Sequence, residues 1–140
     1  MKITVFHQVA FNEMDPMGVV WHGNYVNYFE LARSALLAKI GLTYTDMQQR
    51  GHYWPVVKLR CKYIKSATLN QRLAITAELK DYTNSLTMSF IIRDAESGDI
   101  LTKGETMQMA VDVRTGSTSI VNPDYFIELV NAAQDAELSS

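Results

Sequence analysis

Between Asp15 and Asn24 the chain reads DPMGVVWHGN: one carboxylate, one histidine and two glycines immediately before an apolar run. The residue before a proline is pushed toward extended backbone, so Asp15 is less free than an ordinary loop residue. Pro16 carries no amide hydrogen. Gly18 and Gly23 permit backbone angles or close approaches that a side chain would block. Asn24 is a natural N-cap for a following helix. Unpaired amides at a helix start carry part of a positive end worth ~0.5 elementary charge. That end suits an oxygen that becomes negative, such as the carbonyl oxygen of an acyl group under attack. A carboxylate on the other side of that carbonyl can activate water or attack directly. One short segment can therefore supply both an oxyanion site and a base. The same residues also make an ordinary turn and cap, and spacing alone does not choose between the two.

The elements that must position this segment are legible in the periodicity. Residues 2–12 alternate as a strand, with Ile3, Val5, Val9 and Phe11 on one side. From Asn24 to Ile40, Tyr25, Tyr28, Phe29, Ala32, Leu36 and Ile40 follow the three-and-four spacing of one helix face. Val26, Leu31, Ala35, Leu37 and Ala38 widen that face until the helix calls for enclosure by other elements. Gly41 is a natural stop, and a second short helix is expected over 44–49. Strands follow. VVKLRCKYI sets Val57, Leu59, Cys61 and Tyr63 against Lys58, Arg60 and Lys62. Leu73, Ile75, Ala77 and Leu79 share a face of the next, and Leu86, Met88, Phe90 and Ile92 a face of the one after. Residues 100–113 give Leu101, Met107, Met109, Val111 and Val113. YTNS and ESGDI read as hairpin turns, so the four later strands form a meander. A short helix capped by Asn122 follows Pro123. The expected fold is α+β, with a curved antiparallel five-stranded sheet wrapped around a long central helix.

The segment DPMGVVWHGNYVNYFELAR resembles the D-x-x-G-(V/I)-V-x-x-x-x-Y signature of the 4-hydroxybenzoyl-CoA thioesterase family of hotdog-fold proteins. The likeness is strongest over residues 11–41, and strand order, spacing and the closing NPDYFIEL extend it over nearly the whole chain. The resemblance implies an enzyme that hydrolyses acyl-CoA thioesters to a carboxylic acid and CoA, working as a dimer or tetramer with sites between protomers. Carried over by position, it makes Asp15 the catalytic carboxylate and the His22 backbone amide the donor to the thioester carbonyl. The His22 side chain then serves positioning or polar contact. Tyr25 matches the signature tyrosine, and its role as substrate contact or as packing stays open. Gly23 and Tyr25 are counted with the substrate-binding residues, as is Trp54, an aromatic before a strand that suits an acyl pocket or the core equally. The aromatic-substrate branch of the family carries a basic pair where Thr83 and Asn84 stand here. Lys58, Arg60, Lys62 and Lys65 are the substitute cluster for CoA phosphates, the first three on one strand face, with a plain solvated face as the other reading.

Composition bounds the rest. The 140 residues suit one domain, 1–140, with a sizeable core. With 47% hydrophobic and 20% charged residues the chain is globular rather than disordered. A net charge of -2 gives no general attraction to nucleic acid. No segment approaches the ~20 apolar residues of a transmembrane helix. A single cysteine, Cys61, and no secretory pattern at the N-terminus fit a cytoplasmic protein. His7, His22, His52 and Cys61 show no metal-ligand spacing, so neither metal nor cofactor is expected. There is no G-x-S-x-G elbow of the α/β-hydrolase type. Glu30, inside the apolar helix, calls for Arg33 or Arg60 as an ionic partner. A homo-oligomer is expected, a tetramer built as a dimer of dimers. Its packing face would be the low-charge outer row of Ser85, Thr87, Ser89, Thr102, Thr106, Gln108 and Ala110. An acyl-carrier-protein thioesterase and a non-catalytic acyl-binding protein are the alternative functions.

Overall fold

The computed structural model describes residues 1–139. Strand β1 (Lys2–Gln8) leads through a 3-10 turn (Phe11–Glu13) and the Asp15 loop into helix α1 (Asn24–Ile40) and helix α2 (Tyr44–Gln49). Strands β2 (His52–Tyr53), β3 (Val56–Tyr63), β4 (Arg72–Asp81), β5 (Leu86–Asp94), β6 (Ile100–Gln108) and β7 (Val111–Asp112) follow, then helix α3 (Asp124–Ser139). Five strands make one antiparallel sheet in the order β1-β4-β5-β6-β3, and β2 pairs with β7 apart from it.

Helix α1 lies on one face of this sheet. Phe29, fully buried, stacks on Phe90 of β5 with ring centroids 4.6 Å apart. Arg33 reaches β6, donating from Nη2 to Thr106 Oγ1 at 2.6 Å. Gly104 on β6 makes room for the helix: a Cβ there would lie 2.4 Å from the Phe29 ring. Ile75, Ala77, Leu86, Met88 and Ile92 complete this core as their alternation predicts. The hotdog arrangement of a sheet wrapped on a helix is thus present.

Several details differ from expectation. Strands β4, β5 and β6 form the meander, but β3 does not precede β4 in it; β3 pairs with β6 at the far edge. No tight turn joins β3 to β4. Residues 64–71, at ~3.3 Å each when extended, reach across three strand spacings of ~4.8 Å. Alternation also breaks at the start of β6, where the register against β5 shifts between Ile92 and Arg93. Leu101 and Thr102 are consequently both buried. From there Thr102, Gly104, Thr106 and Gln108 lie opposite the inward residues Ile92, Phe90, Met88 and Leu86. The outer residues of β6 are Lys103, Glu105 and Met107, so the expected low-charge outer row fails: Thr102, Thr106, Gln108 and Ala110 are buried, and so are Ser85 and Thr87. Asn122 does not cap α3. It is a buried polar hub that accepts from Trp54 Nε1 at 3.0 Å and donates to the carbonyls of Tyr82 and Ser85. Helix α3 itself is 16 residues rather than short, anchored by buried Phe126 and Val130. Helix α1 is not enclosed all round, since Leu31 is exposed.

Candidate active site

Asp15, Pro16, Met17 and Gly18 form a tight turn. The Gly18 amide donates to the Asp15 carbonyl at 3.1 Å, with proline in the second place of the turn, where its fixed φ fits. Gly18 has φ +81°, a left-handed angle that explains the glycine. The Asp15 side chain caps its own turn: Oδ1 accepts from the Met17 amide at 2.8 Å and from the Val19 amide at 3.4 Å. Its second oxygen, Oδ2, makes no hydrogen bond among the described residues. The Asp15 amide donates to the Val19 carbonyl at 2.8 Å, and Met14 bridges Val20, so the loop is a miniature hairpin.

Glu13 fastens this hairpin to the rest of the molecule. Its carbonyl accepts from the Trp21 amide at 2.9 Å and from Asn24 Nδ2 at 2.8 Å. Its carboxylate meets His7 Nε2 of β1 at 2.9 Å and accepts from the Ala10 amide at 2.7 Å. Burial pulls the Glu13 carboxyl upward, but the Ala10 amide and His7 outweigh it and hold it below the usual carboxylate range. Sequence patterning passed over Glu13 and His7, because their partnership depends on the path of the loop.

The N-cap of α1 is Gly23, without a side-chain cap, and Asn24 is already helical. The expected capping role of Asn24 gives way to its bond with the Glu13 carbonyl. The consequence is useful: the amides of His22 and Gly23 have no acceptor among the described residues. Gly23 is required by a close approach, since a Cβ would lie 2.3 Å from the Trp21 ring. Tyr25 is buried and accepts the Ala67 amide on its hydroxyl at 3.0 Å. Burial above all raises the Tyr25 phenol, despite the Ala67 bond. Tyr25 thus ties the start of α1 to the segment that follows β3. Tyr63, at the end of β3, reaches the helix start from the sheet: its hydroxyl donates to the His22 carbonyl at 3.1 Å. Its alternation placed Tyr63 on the inner face of the strand, yet nothing in the spacing linked it to His22. Burial pushes the Cys61 thiol up, so it stays a thiol and not a nucleophilic thiolate.

The other sequence candidates lie elsewhere. Trp54 is buried in the core between Asn122 and Phe126, its ring 5.1 Å from the latter. Lys58, Arg60 and Lys62 sit on the outer face of β3, opposite Met107, Glu105 and Lys103. Arg60 pairs with Glu105 at 3.3 Å. A pocket of about 480 Å³ opens at this edge, lined by Arg60, Cys61, Lys62, Lys103, Gly104 and Glu105. Glu30 pairs with Arg33, as expected, and its second oxygen accepts the Tyr44 hydroxyl at 3.3 Å.

Comparison with known proteins gives the family. Residues 9–134 match the model of the thioesterase-like superfamily. The candidate acyl-CoA thioesterase YneP of Bacillus subtilis is 29% identical over 105 residues, which are 75% of this chain and 76% of that protein. The crystal structure of a DHNA-CoA thioesterase from Staphylococcus aureus superposes with a TM-score of 0.84 at 27% identity, covering 98% of this chain and 91% of that one. A mutant 4-hydroxybenzoyl-CoA thioesterase complexed with 4-hydroxybenzoyl-CoA shares the fold, with a TM-score of 0.79 at 21% identity over 91% of this chain and 97% of that one. The chain belongs to the thioesterase-like superfamily and is a hotdog-fold thioester hydrolase.

Proposed function

We propose that the protein hydrolyses an acyl-CoA thioester to the carboxylic acid and free CoA, with Asp15 and the start of α1 as its reacting centre. The observation that carries this reading is one loop holding a carboxylate oxygen, Asp15 Oδ2, and two amides, at His22 and Gly23, none of which has a partner among the described residues. In the general-base route, Asp15 takes a proton from water, and the oxygen attacks the thioester carbon. Negative charge grows on the carbonyl oxygen, where the His22 amide and the helix end meet it. The C–S bond then breaks, and the proton held on Asp15 passes to the CoA thiolate. In the nucleophilic route Asp15 itself attacks, and water opens the resulting mixed anhydride. Single turnover in ¹⁸O-water tests the second: unlabelled first product means an oxygen from Asp15 and an anhydride opened at the Asp15 carboxyl carbon, whereas labelled product means that water attacked the acyl carbon.

Supports differ for the finer assignments. Lys62 and the Arg60–Glu105 pair border the edge pocket, and with Lys58 on the same strand face they are assigned to the anionic part of the carrier. A homo-oligomer is supported by β3, an edge strand that leaves Val57, Leu59 and Tyr63 about half exposed. Pairing of two such edges gives a dimer, and two dimers the expected tetramer. A cytoplasmic place fits the lone free cysteine. Release of thiol from matched acyl-CoA and acyl-carrier-protein panels tests the function. Turnover of CoA esters is the expected result. Turnover of carrier-protein esters alone transfers the activity to that carrier, and acyl binding without thiol release makes the protein a binding module.

A further inference from the structure

The His22–Gly23 peptide is held from behind by a residue outside the loop. Tyr63 donates to the His22 carbonyl at 3.1 Å, an oxygen that also accepts the Tyr25 amide at 3.4 Å. In a trans peptide the carbonyl and the following N–H point in opposite directions. A donor fixed on the His22 oxygen therefore sets the direction of the Gly23 N–H. Hydrogen bonds in series also polarise one another, so the same contact makes that N–H a stronger donor. The Gly23 amide has no acceptor among the described residues, which leaves it available to a ligand. The Tyr63 ring is itself held, edge-on to Tyr25 at 5.2 Å and to the His22 imidazole at 6.4 Å. On the far side of Gly23, the Trp21 ring occupies the space that any side chain would need. The peptide is thus gripped on its carbonyl and along one face, while its N–H edge stays open. Burial, then contact with Cys61 and Tyr25, pushes the Tyr63 phenol up to about 12, so it remains a proton donor at neutral pH.

We propose that Tyr63 is a positioning residue for thioester hydrolysis: through the His22 carbonyl it aims and polarises the Gly23 N–H, which joins the His22 N–H as a second donor to the developing oxyanion. The inference rests on the reading of the helix start as the oxyanion site. A tyrosine that only ties β3 to the loop would add stability and nothing else.

Tyr63→Phe in the full-length protein removes one hydroxyl and keeps the ring. The expected result is a roughly three- to tenfold fall in kcat, the worth of one ordinary hydrogen bond, with KM nearly constant because the interaction acts in the transition state. The Gly23 amide ¹⁵N resonance moves, while amides in the middle of α1 stay in place. A folded Tyr63→Phe protein with unchanged kcat, or with an unmoved Gly23 resonance, overturns the inference. His22→Pro, run in the same assay, separates this failure from the deeper one. If folded His22→Pro turns over normally, the oxyanion reading falls and Tyr63 with it. If His22→Pro is impaired and Tyr63→Phe is not, only the role of Tyr63 falls.

Discussion

The two oxygens of Asp15 are unequally engaged, Oδ1 by the turn amides and Oδ2 by nothing among the described residues. Asparagine can preserve the first arrangement through its amide oxygen while removing the charge. The neighbouring His22 offers a second contrast. His22→Ala keeps the backbone amide and is expected to lower kcat less than tenfold. His22→Pro deletes the amide and is expected to lower kcat by about 10²–10³, the usual loss for one oxyanion donor. Because the His22 amide has no acceptor among the described residues, the proline variant removes no backbone hydrogen bond found there. Equal kinetics for the two variants would contradict the assignment of the amide. Asp15 was legible because it stands at a fixed position of the signature, and His22 and Gly23 because they fall between its fixed positions just before the helix. Glu13, His7 and Tyr63 were not, since each acts through a hydrogen bond across the fold, and chain spacing carries no trace of such a bond.

Among the elements, α1 is tied to the sheet by one buried cation. Arg33 is almost wholly buried, with Glu30 and Thr106 as partners and Nε unpaired. Glu30→Ala strands that charge and is expected to cost about 1–3 kcal/mol in chemical denaturation. The double variant Glu30→Ala/Arg33→Met, which removes the charge as well, should recover much of the loss. A silent Glu30→Ala would contradict this. Gly104→Ala drives a methyl into the buried Phe29 ring and is expected to destabilise by about 1–3 kcal/mol, read as a lower melting temperature. Element types and the core of β4 and β5 followed from alternation alone. The order of β3 in the sheet and the phase of β6 did not. The first is set by where a long connection lands, and the second by one register shift that turns Thr102, Thr106 and Gln108 inward. The stripe on β3 belongs to this scale too. Lys58→Gln/Lys62→Gln should raise KM for CoA esters with little change in kcat, and less so at high salt. An unchanged KM at low salt would return the stripe to a solvated face.

For the whole molecule, the sheet ends in two edges, β1 and β3, and β3 leaves apolar side chains uncovered. Sedimentation should show a dimer or tetramer. Leu59→Lys should shift that assembly toward monomer and lower turnover with it, if the site is shared between protomers. A wild-type monomer with full activity would contradict both assembly and shared site. The sequence could point to an oligomer through the family resemblance, but the face it suggested was wrong, because six of its seven residues, all but Ser89, are buried within the protomer.

The central claim is that this hairpin and helix start hydrolyse a thioester through the Asp15 carboxylate. The most direct measurement is kcat of Asp15→Asn on an acyl-CoA that the wild-type protein turns over, with the fold checked by its melting temperature. The account predicts a fall of about 10²-fold or more with substrate binding largely retained. Near-normal turnover by a folded Asp15→Asn protein would contradict it and leave Asp15 as the cap of a turn.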